Sequence, residues 1–282
     1  MNLVLHKSLS MKKVVLITGA SSGMGLETAV YLNNMGYKVY AAARRIERMK
    51  EFKKLGIIAL YLDLTEEESI RRLVDSVFNA DGRIDILINC AGYGLYGSLE
   101  DVSLNEAKKQ MEVNVFGTAR LTQLVVPIMR KQKDGKIVNV SSIGGKLVGP
   151  FGLWYHVSKF GLEALSDALR IEVKPFGIDV VIIQPGGIQT EWGDIAMGNL
   201  VKSSQESAYK GAILKVVESN RQHQKNYSSP SIIAKLIFKA VRAKKPKIRY
   251  HAGYMAGFLL FIRKVVPDKI IDKMISKEMA KK

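Results

Sequence analysis

"LITGASSGMG", residues 16–25, carries an apolar, β-favouring run into a helical pattern through a turn with glycines at 19, 23 and 25. Glycine has no Cβ, so such a turn can tighten and let backbone N–H groups approach a ligand closely. A helix starting there aims its free N–H groups and the positive end of its dipole at the turn, which stabilises phosphate charge. Elsewhere the same glycines would make only a tight connection. Directly after a first strand they predict a pyrophosphate cradle.

Working outward, short β-rich runs alternate with helical patterns through residue 190. The strands are "KVVLIT", "YKVYAAAR", "IIALYLDL", "IDILINCAG", "GKIVNVSS" and "IDVVIIQPGG". The first helix is expected to end at Gly36. Thr65 with Glu68, and Ser103 with Glu106, have the spacing of capping boxes for the helices that follow them. The second of these helices runs through 107–131, with Gly117 and Pro127 as places where it can break, and a further helix starts near Trp154 and ends before Pro175. Nearly continuous apolar strands alternating with helices predict an α/β fold: a Rossmann-type, doubly wound parallel sheet in a single domain with a C-terminal helical extension. Within it, 12–190 is the core, 191–228 is a less regular stretch expected to form a substrate lid, and 229–282 is a basic helical extension.

The chain has 282 residues and 47% hydrophobic composition, enough for a large core. Its single cysteine, Cys90, excludes an internal disulfide framework and is read as a small buried hydrophobe. "MNLVLHKSLSMKK" is a poor signal peptide and is read as a loose leader, and no apolar stretch is long enough to span a bilayer. A cytoplasmic location is the default expectation. The net charge is +17, with residues 240–282 holding 12 Lys and Arg against 3 Asp and Glu, a net of +9. No zinc-ligand spacing or nucleic-acid-binding signature accompanies that charge, so no nucleic-acid partner is expected.

The end of the second strand bears on the ligand. A carboxylate there would accept hydrogen bonds from the ribose 2′-hydroxyl of NAD. Here Arg44 and Arg45 stand instead, and arginine suits the 2′-phosphate of NADP(H). Ser21 and Ser22 can add hydroxyl donors. "WYHVSK" at 154–159 puts Tyr155 and Lys159 on one helical face, where a lysine can make a phenol more acidic. The same spacing also occurs on ordinary surfaces.

With these residues in order, residues 12–190 resemble the classical short-chain dehydrogenase/reductase family, and "GGKLVGPFGLWYHVSK" resembles its 17β-hydroxysteroid and retinol dehydrogenase branch. The resemblance implies that Gly19, Ser21, Ser22, Gly23, Met24, Gly25, Arg44, Asp63, Leu64, Asn89, Ala91, Gly92, Tyr155, Lys159, Pro185, Gly186, Ile188 and Thr190 bind the cofactor. Cys90 departs from the family pattern, which has a second asparagine there. The resemblance also implies a catalytic set of Asn114, Ser142, Tyr155 and Lys159. In it Tyr155 exchanges the proton, Lys159 lowers the phenol pKa and binds the nicotinamide ribose, Ser142 steadies the carbonyl oxygen, and Asn114 holds a relay water. The implied activity is carbonyl–alcohol interconversion with NADP(H).

Leu147, Phe151 and Trp192, with Ser142 and Tyr155, are expected to line a substrate mouth for a hydrophobic carbonyl or alcohol. His156, beside Tyr155, is expected to be structural. By family analogy the chain forms a homodimer or homotetramer through the helices carrying Asn114 and Tyr155. The C-terminal "GFLLFIRKVVPDKIIDKM" mixes an apolar face with lysines. It is expected to cap the pocket or pack on the core, with peripheral membrane contact as the less favoured alternative. Two rival functions stay open: an NADP(H)-binding redox sensor without turnover, and a basic scaffold for membrane or nucleic acid.

Overall fold

The computed structural model describes residues 12–280, so the leader expected at the N-terminus lies mostly outside the described residues. β1 (Val14–Thr18) is buried along its whole length and occupies the middle of the sheet. β2 (Lys38–Ala43), β3 (Ile58–Tyr61), β4 (Ile86–Asn89), β5 (Gly135–Val140), β6 (Ile178–Pro185) and β7 (Arg249–Ala252) complete it in the order β3-β2-β1-β4-β5-β6-β7. Every pairing is parallel. Both faces of such a sheet must be covered, and two apolar layers do this. On one face, α1 (Gly23–Asn34) packs with α8 (Ser231–Arg242), whose Ile233 and Ile237 are fully buried. On the other lie α2 (Glu67–Asp81), α4 (Thr118–Gln132) and α5 (Leu153–Val173). The strand order reverses between β1 and β4, and the crevice at their C-terminal ends is where open α/β sheets bind ligands.

Local chemistry decides several boundaries. Ser103 caps α3 (Leu104–Met111) with the expected box: the Glu106 N–H donates to Ser103 Oγ, and Ser103 N–H to Glu106 Oε2. The Thr65–Glu68 box does not form. Both the N–H and the hydroxyl of Thr65 donate to Asp63 Oδ1, at 2.9 and 2.8 Å, so the chain turns one residue later and Glu66 becomes the N-cap. Between α3 and α4 the helix widens into a π-turn over Glu112–Gly117, so the break falls at Gly117 while the helix continues through Pro127.

The stretch 191–228 is more regular than expected. It forms α6 (Glu191–Ser203) and α7 (Lys210–Gln224), whose polar and glycine residues sit on exposed faces. β7 was missed in the sequence because "RYHA" is short, charged and preceded by lysines. The chain ends in α9 (Ala256–Val265) and α10 (Asp268–Ala280). Of the described side chains on these two helices only Ala256 is buried, so core packing accounts for little of their apolar surface. No helix among the described residues is long and apolar enough to cross a membrane.

Candidate active site

The turn after β1 has the geometry of a cradle. Gly19 and Gly23 sit at φ of +69° and +53°, where side chains are strained, and a Cβ on Gly25 would lie 2.4 Å from the Gly19 carbonyl oxygen. Ser22 occupies the N-cap of α1, but its side chain makes no capping bond, so the first N–H groups of the helix stay available to an anion. Ser21 is buried, and Met24 packs on the core. Thr190, at the N-cap of α6, places its methyl 3.1 Å from where a Gly23 Cβ would be. The turn and the segment after β6 therefore meet. Pro185 ends β6, Gly186 N–H donates to the Ala252 carbonyl, and Ile188 is buried in the core.

At the end of β2 the two arginines diverge. Arg44 is exposed, with Nη1 3.9 Å from Asp63 Oδ2. Arg45 donates from Nη2 to Ser22 Oγ at 3.0 Å. Arg45 thus reaches the phosphate turn directly, whereas only Arg44 is among the cofactor contacts expected from the sequence. Glu191 lies 2.7 Å from Arg48 and 3.9 Å from Arg45, so a carboxylate of α6 faces this basic corner. Leu64 is buried below it.

Beyond β4, Thr18 Oγ1 accepts hydrogen bonds from both the Cys90 and Ala91 N–H groups, and Gly92 is exposed. These backbone bonds order the turn without the family's second asparagine. Cys90 is half-buried, and burial pushes its thiol up to about 11. The Asn89 side chain does not face the crevice. It donates to Asn139 Oδ1 at 2.8 Å and to Thr122 Oγ1 at 3.3 Å inside the fold, which ties β4, β5 and α4 together and leaves only the Asn89 backbone at the strand end for the expected cofactor contact.

The four residues of the expected catalytic set converge at the ends of β4 and β5. The π-turn turns Asn114 inward. Its Oδ1 accepts from Tyr93 N–H, and its Nδ2 donates to the Tyr93 carbonyl and to Ser158 Oγ. Both amide protons are therefore engaged, and one Oδ1 lone pair remains. Asn114 Oδ1 and Lys159 Nζ lie 3.1 and 3.7 Å from the point a Gly92 Cβ would occupy, so the absence of that carbon keeps a small polar space open.

Lys159 Nζ donates to the Val140 carbonyl at 3.0 Å. The Tyr155 ring and Ser142 Oγ meet at Gly144; burial pushes the phenol up to about 12, offset in part by the Ser142 hydroxyl. The expected lowering of the phenol by Lys159 does not appear, because the ammonium is turned toward Val140. Burial also lowers Lys159 to about 8, opposed in part by the charge of Glu163. His156 is structural, as expected: its Nδ1 pairs with the Gly144 carbonyl, and its Nε2 accepts from Gly149 N–H.

Sequence patterns missed two further features. Tyr96 stacks on Tyr155 with centroids 5.6 Å apart, and Trp192 covers the same ring at 5.2 Å. Trp192 itself sits against Gly94, where a Cβ would come within 2.4 Å of its ring. Glu163, one turn beyond Lys159, is buried and takes Gln184, Arg249 and Lys146 at 2.9, 2.9 and 3.1 Å. A buried carboxylate one turn from a lysine was visible as a spacing, but its partners come from β6, β7 and the 143–146 turn.

Leu147 is half-buried near this turn. Phe151 turns away from Tyr155. With φ of +61° it packs on Tyr209 and lines an apolar cavity of about 680 Å³ with Leu99, Val157 and Phe160. That cavity lies on the His156–Val157 side of α5, so Phe151 is not part of the mouth over Tyr155.

Cradle, crevice and polar set together define a dinucleotide-dependent oxidoreductase site on a doubly wound sheet. The short chain dehydrogenase family matches residues 13–196, and the chain belongs to that family. It is 36% identical to a 3-ketodihydrosphingosine reductase of Bacteroides thetaiotaomicron over 92% of this chain and 95% of that one. It is 34% identical to a probable short-chain type dehydrogenase/reductase of Helicobacter pylori, over 93% and 96% of the two chains. A short-chain dehydrogenase structure from Streptomyces avermitilis superposes with a TM-score of 0.78 at 30% identity, covering 95% of this chain and 96% of that one. Solved neighbours of the same fold hold NADP+, NADPH or NAD.

Proposed function

We propose that the protein is an NADP(H)-dependent oxidoreductase that interconverts a carbonyl and an alcohol on a hydrophobic substrate. The observation that carries this reading is the convergence of four side chains next to the glycine cradle: Asn114 Oδ1 and Lys159 Nζ meet at Gly92, and the Tyr155 ring and Ser142 Oγ meet at Gly144. The glycine turn and the uncapped start of α1 fit a pyrophosphate, and Arg44 and Arg45 fit a 2′-phosphate. The segment from Pro185 to Thr190 would hold the nicotinamide end, with Lys159 on its ribose.

When bound, the reduced nicotinamide supplies the hydride. Tyr155, held protonated by burial at neutral pH, gives its proton to the carbonyl oxygen, and Ser142 donates a hydrogen bond to the same oxygen as negative charge develops. Lys159 orients the ribose and reprotonates the phenolate through the polar space by Gly92. The remaining Asn114 lone pair can hold a water there. Run backwards, Tyr155 is the base.

The ring faces of Tyr96 and Trp192 form an apolar wall over Tyr155. A relative named for 3-ketodihydrosphingosine, a lipid-like ketone, supports the same substrate class. Because Trp192 covers the phenol, α6 has to shift for substrate to enter, and this makes 191–228 the lid. Exposed Leu153, Val157 and Phe160 on α5 support pairing of two copies along that helix.

The test is NADPH oxidation against a panel of hydrophobic ketones and aldehydes, with NADH and Tyr155→Phe in parallel. Turnover that prefers NADPH and fails in the variant is expected. Tight NADPH binding with no turnover on any substrate would favour a sensor, and faster turnover with NADH would overturn the arginine assignment.

A further inference from the structure

α9 and α10 expose an apolar row that the fold leaves uncovered. Phe258, Phe261, Val265, Ile270 and Met274 are between 52% and 61% exposed. On α9 the three occupy positions i, i+3 and i+7, one helical face. Ile270 and Met274 are spaced i, i+4 on α10. The inner side of α9 meets β7 and the 143–145 turn, and Arg263 Nε donates to the Lys146 carbonyl at 3.2 Å. These contacts occupy the inner side and leave the outer row without a partner among the described residues.

The charge beside that row narrows what covers it. Lys264, Lys269 and Lys273 flank it, exposed and without an ion pair among the described residues, against one exposed carboxylate, Asp272, while Asp268 is neutralised by Arg263 at 2.7 Å. α7, which packs against α10, adds Lys210 and Arg221 against Glu218. A second copy placed on this face would oppose these cations with the same cations. An apolar row edged by lysines on a chain of net charge +17 matches instead an anionic lipid surface, where aromatic and aliphatic tips enter the acyl boundary and lysines lie at the headgroup phosphates.

We propose that α9 and α10 dock the protein on an anionic bilayer, with Phe258, Phe261, Val265, Ile270 and Met274 in the interface. The surface adjoins the turn that follows Ser142. Given the proposed oxidoreductase function, on which this step depends, the bilayer would then deliver a lipid-like substrate to the lid without passage through water.

The test is co-sedimentation of the full chain with vesicles of phosphatidylcholine alone or with roughly 30% phosphatidylglycerol, at about 0.1 and about 0.5 M salt. Pelleting with the anionic vesicles, weakened by salt, is expected. The variant Phe258→Ser/Phe261→Ser should lose at least about tenfold in vesicle affinity, and Lys269→Glu/Lys273→Glu a comparable amount. Unchanged NADPH binding and thermal unfolding would show that both variants are folded.

No pelleting of the wild type overturns the proposal. So does equal pelleting of the phenylalanine variant, which would reduce the effect to charge alone. A smaller oligomer on sedimentation of that variant without lipid would assign the face to a second copy and also overturn it. Tyr155→Phe must pellet like the wild type, so loss of turnover and loss of docking are read separately.

Discussion

The sheet and the terminal helices dispose of their apolar residues in opposite ways. β1 and β4 bury every residue, and α8 buries Ile233 and Ile237 against α1. Within the same chain, a few residues later, α9 presents Phe258 and Phe261 to solvent. Both helices are amphipathic in sequence. α8 follows a long crossover that brings it onto an open sheet face. α9 leaves the last strand at the edge of the sheet, where only the 143–145 turn is within reach. An amphipathic pattern thus states that a face needs a partner, and the topology decides whether the chain itself supplies one.

The largest effect that can break this comparison lies in the core region. Tyr155→Phe removes the proposed proton donor beside Ser142, and kcat is expected to fall by about a thousandfold or more while NADPH affinity changes little. Single-turnover kinetics with NADPH binding by fluorescence separate the two. Retained turnover would move the proton donor elsewhere.

Stability sharpens the contrast directly. Ile237 is fully buried between α8 and the sheet, so Ile237→Ala is expected to cost about 2–5 kcal/mol in urea unfolding. Phe258→Ala, on the exposed face, should stay within about 0.5 kcal/mol. Comparable costs at the two sites would show that α9 is part of the cooperative core.

Third in size is the cofactor corner. Arg44→Ala and Arg45→Ala should each weaken NADPH binding by about tenfold to a hundredfold and leave NADH nearly unchanged, the loss expected for a charge-assisted hydrogen bond. A larger effect at Arg45 would follow from its contact with Ser22. No effect at either position would return the cofactor assignment to NAD.

How much of this was legible in the sequence follows from the same contrast. The core strands could be read because a parallel sheet buries both faces and leaves continuous apolar runs. The turn at 19–25 could be read because its conformation demands glycine. Asn114, Ser142, Tyr155 and Lys159, the set that the resemblance implies, lie close together in the fold. Features set by long-range geometry were not legible. Asn89 was assigned to the cofactor, but its neighbours Asn139 and Thr122 are 50 and 33 residues away and hold its side chain inside. Phe151 sits on the wrong side of α5 because of its left-handed φ, which an aromatic residue does not announce. Thr65 was claimed by Asp63 before Glu68 could use it. α6 and α7 carry scattered polar and glycine residues that weaken their periodicity, and β7 is too short to have one.

The smallest predicted effect sits where the two regions join. Glu163 on α5 is buried and binds Arg249 of β7, Gln184 of β6 and Lys146, so the late strand is tied to the helix that carries Tyr155 and Lys159. Its charge helps to hold the Lys159 ammonium up, while burial, the larger influence, lowers it to about 8. A lysine with a depressed folded-state pKa loses its charge above about 8, whereas in the unfolded chain it keeps it to its ordinary value near 10.5. The unfolded state therefore binds the extra proton in that window, and this group makes stability rise with pH through it. Cofactor binding depends on the charged form and should decline over the same alkaline range. Glu163→Gln keeps the shape and one acceptor oxygen, enough for Arg249 and Lys146, while removing the charge and the acceptor for Gln184. The alkaline limb of NADPH binding should then move to lower pH, with less than about a tenfold loss of affinity at neutral pH. A merely structural role would lower affinity equally at all pH values and leave the limb in place. A shifted limb with intact unfolding cooperativity would show that the joint between the two regions also sets the protonation of the site.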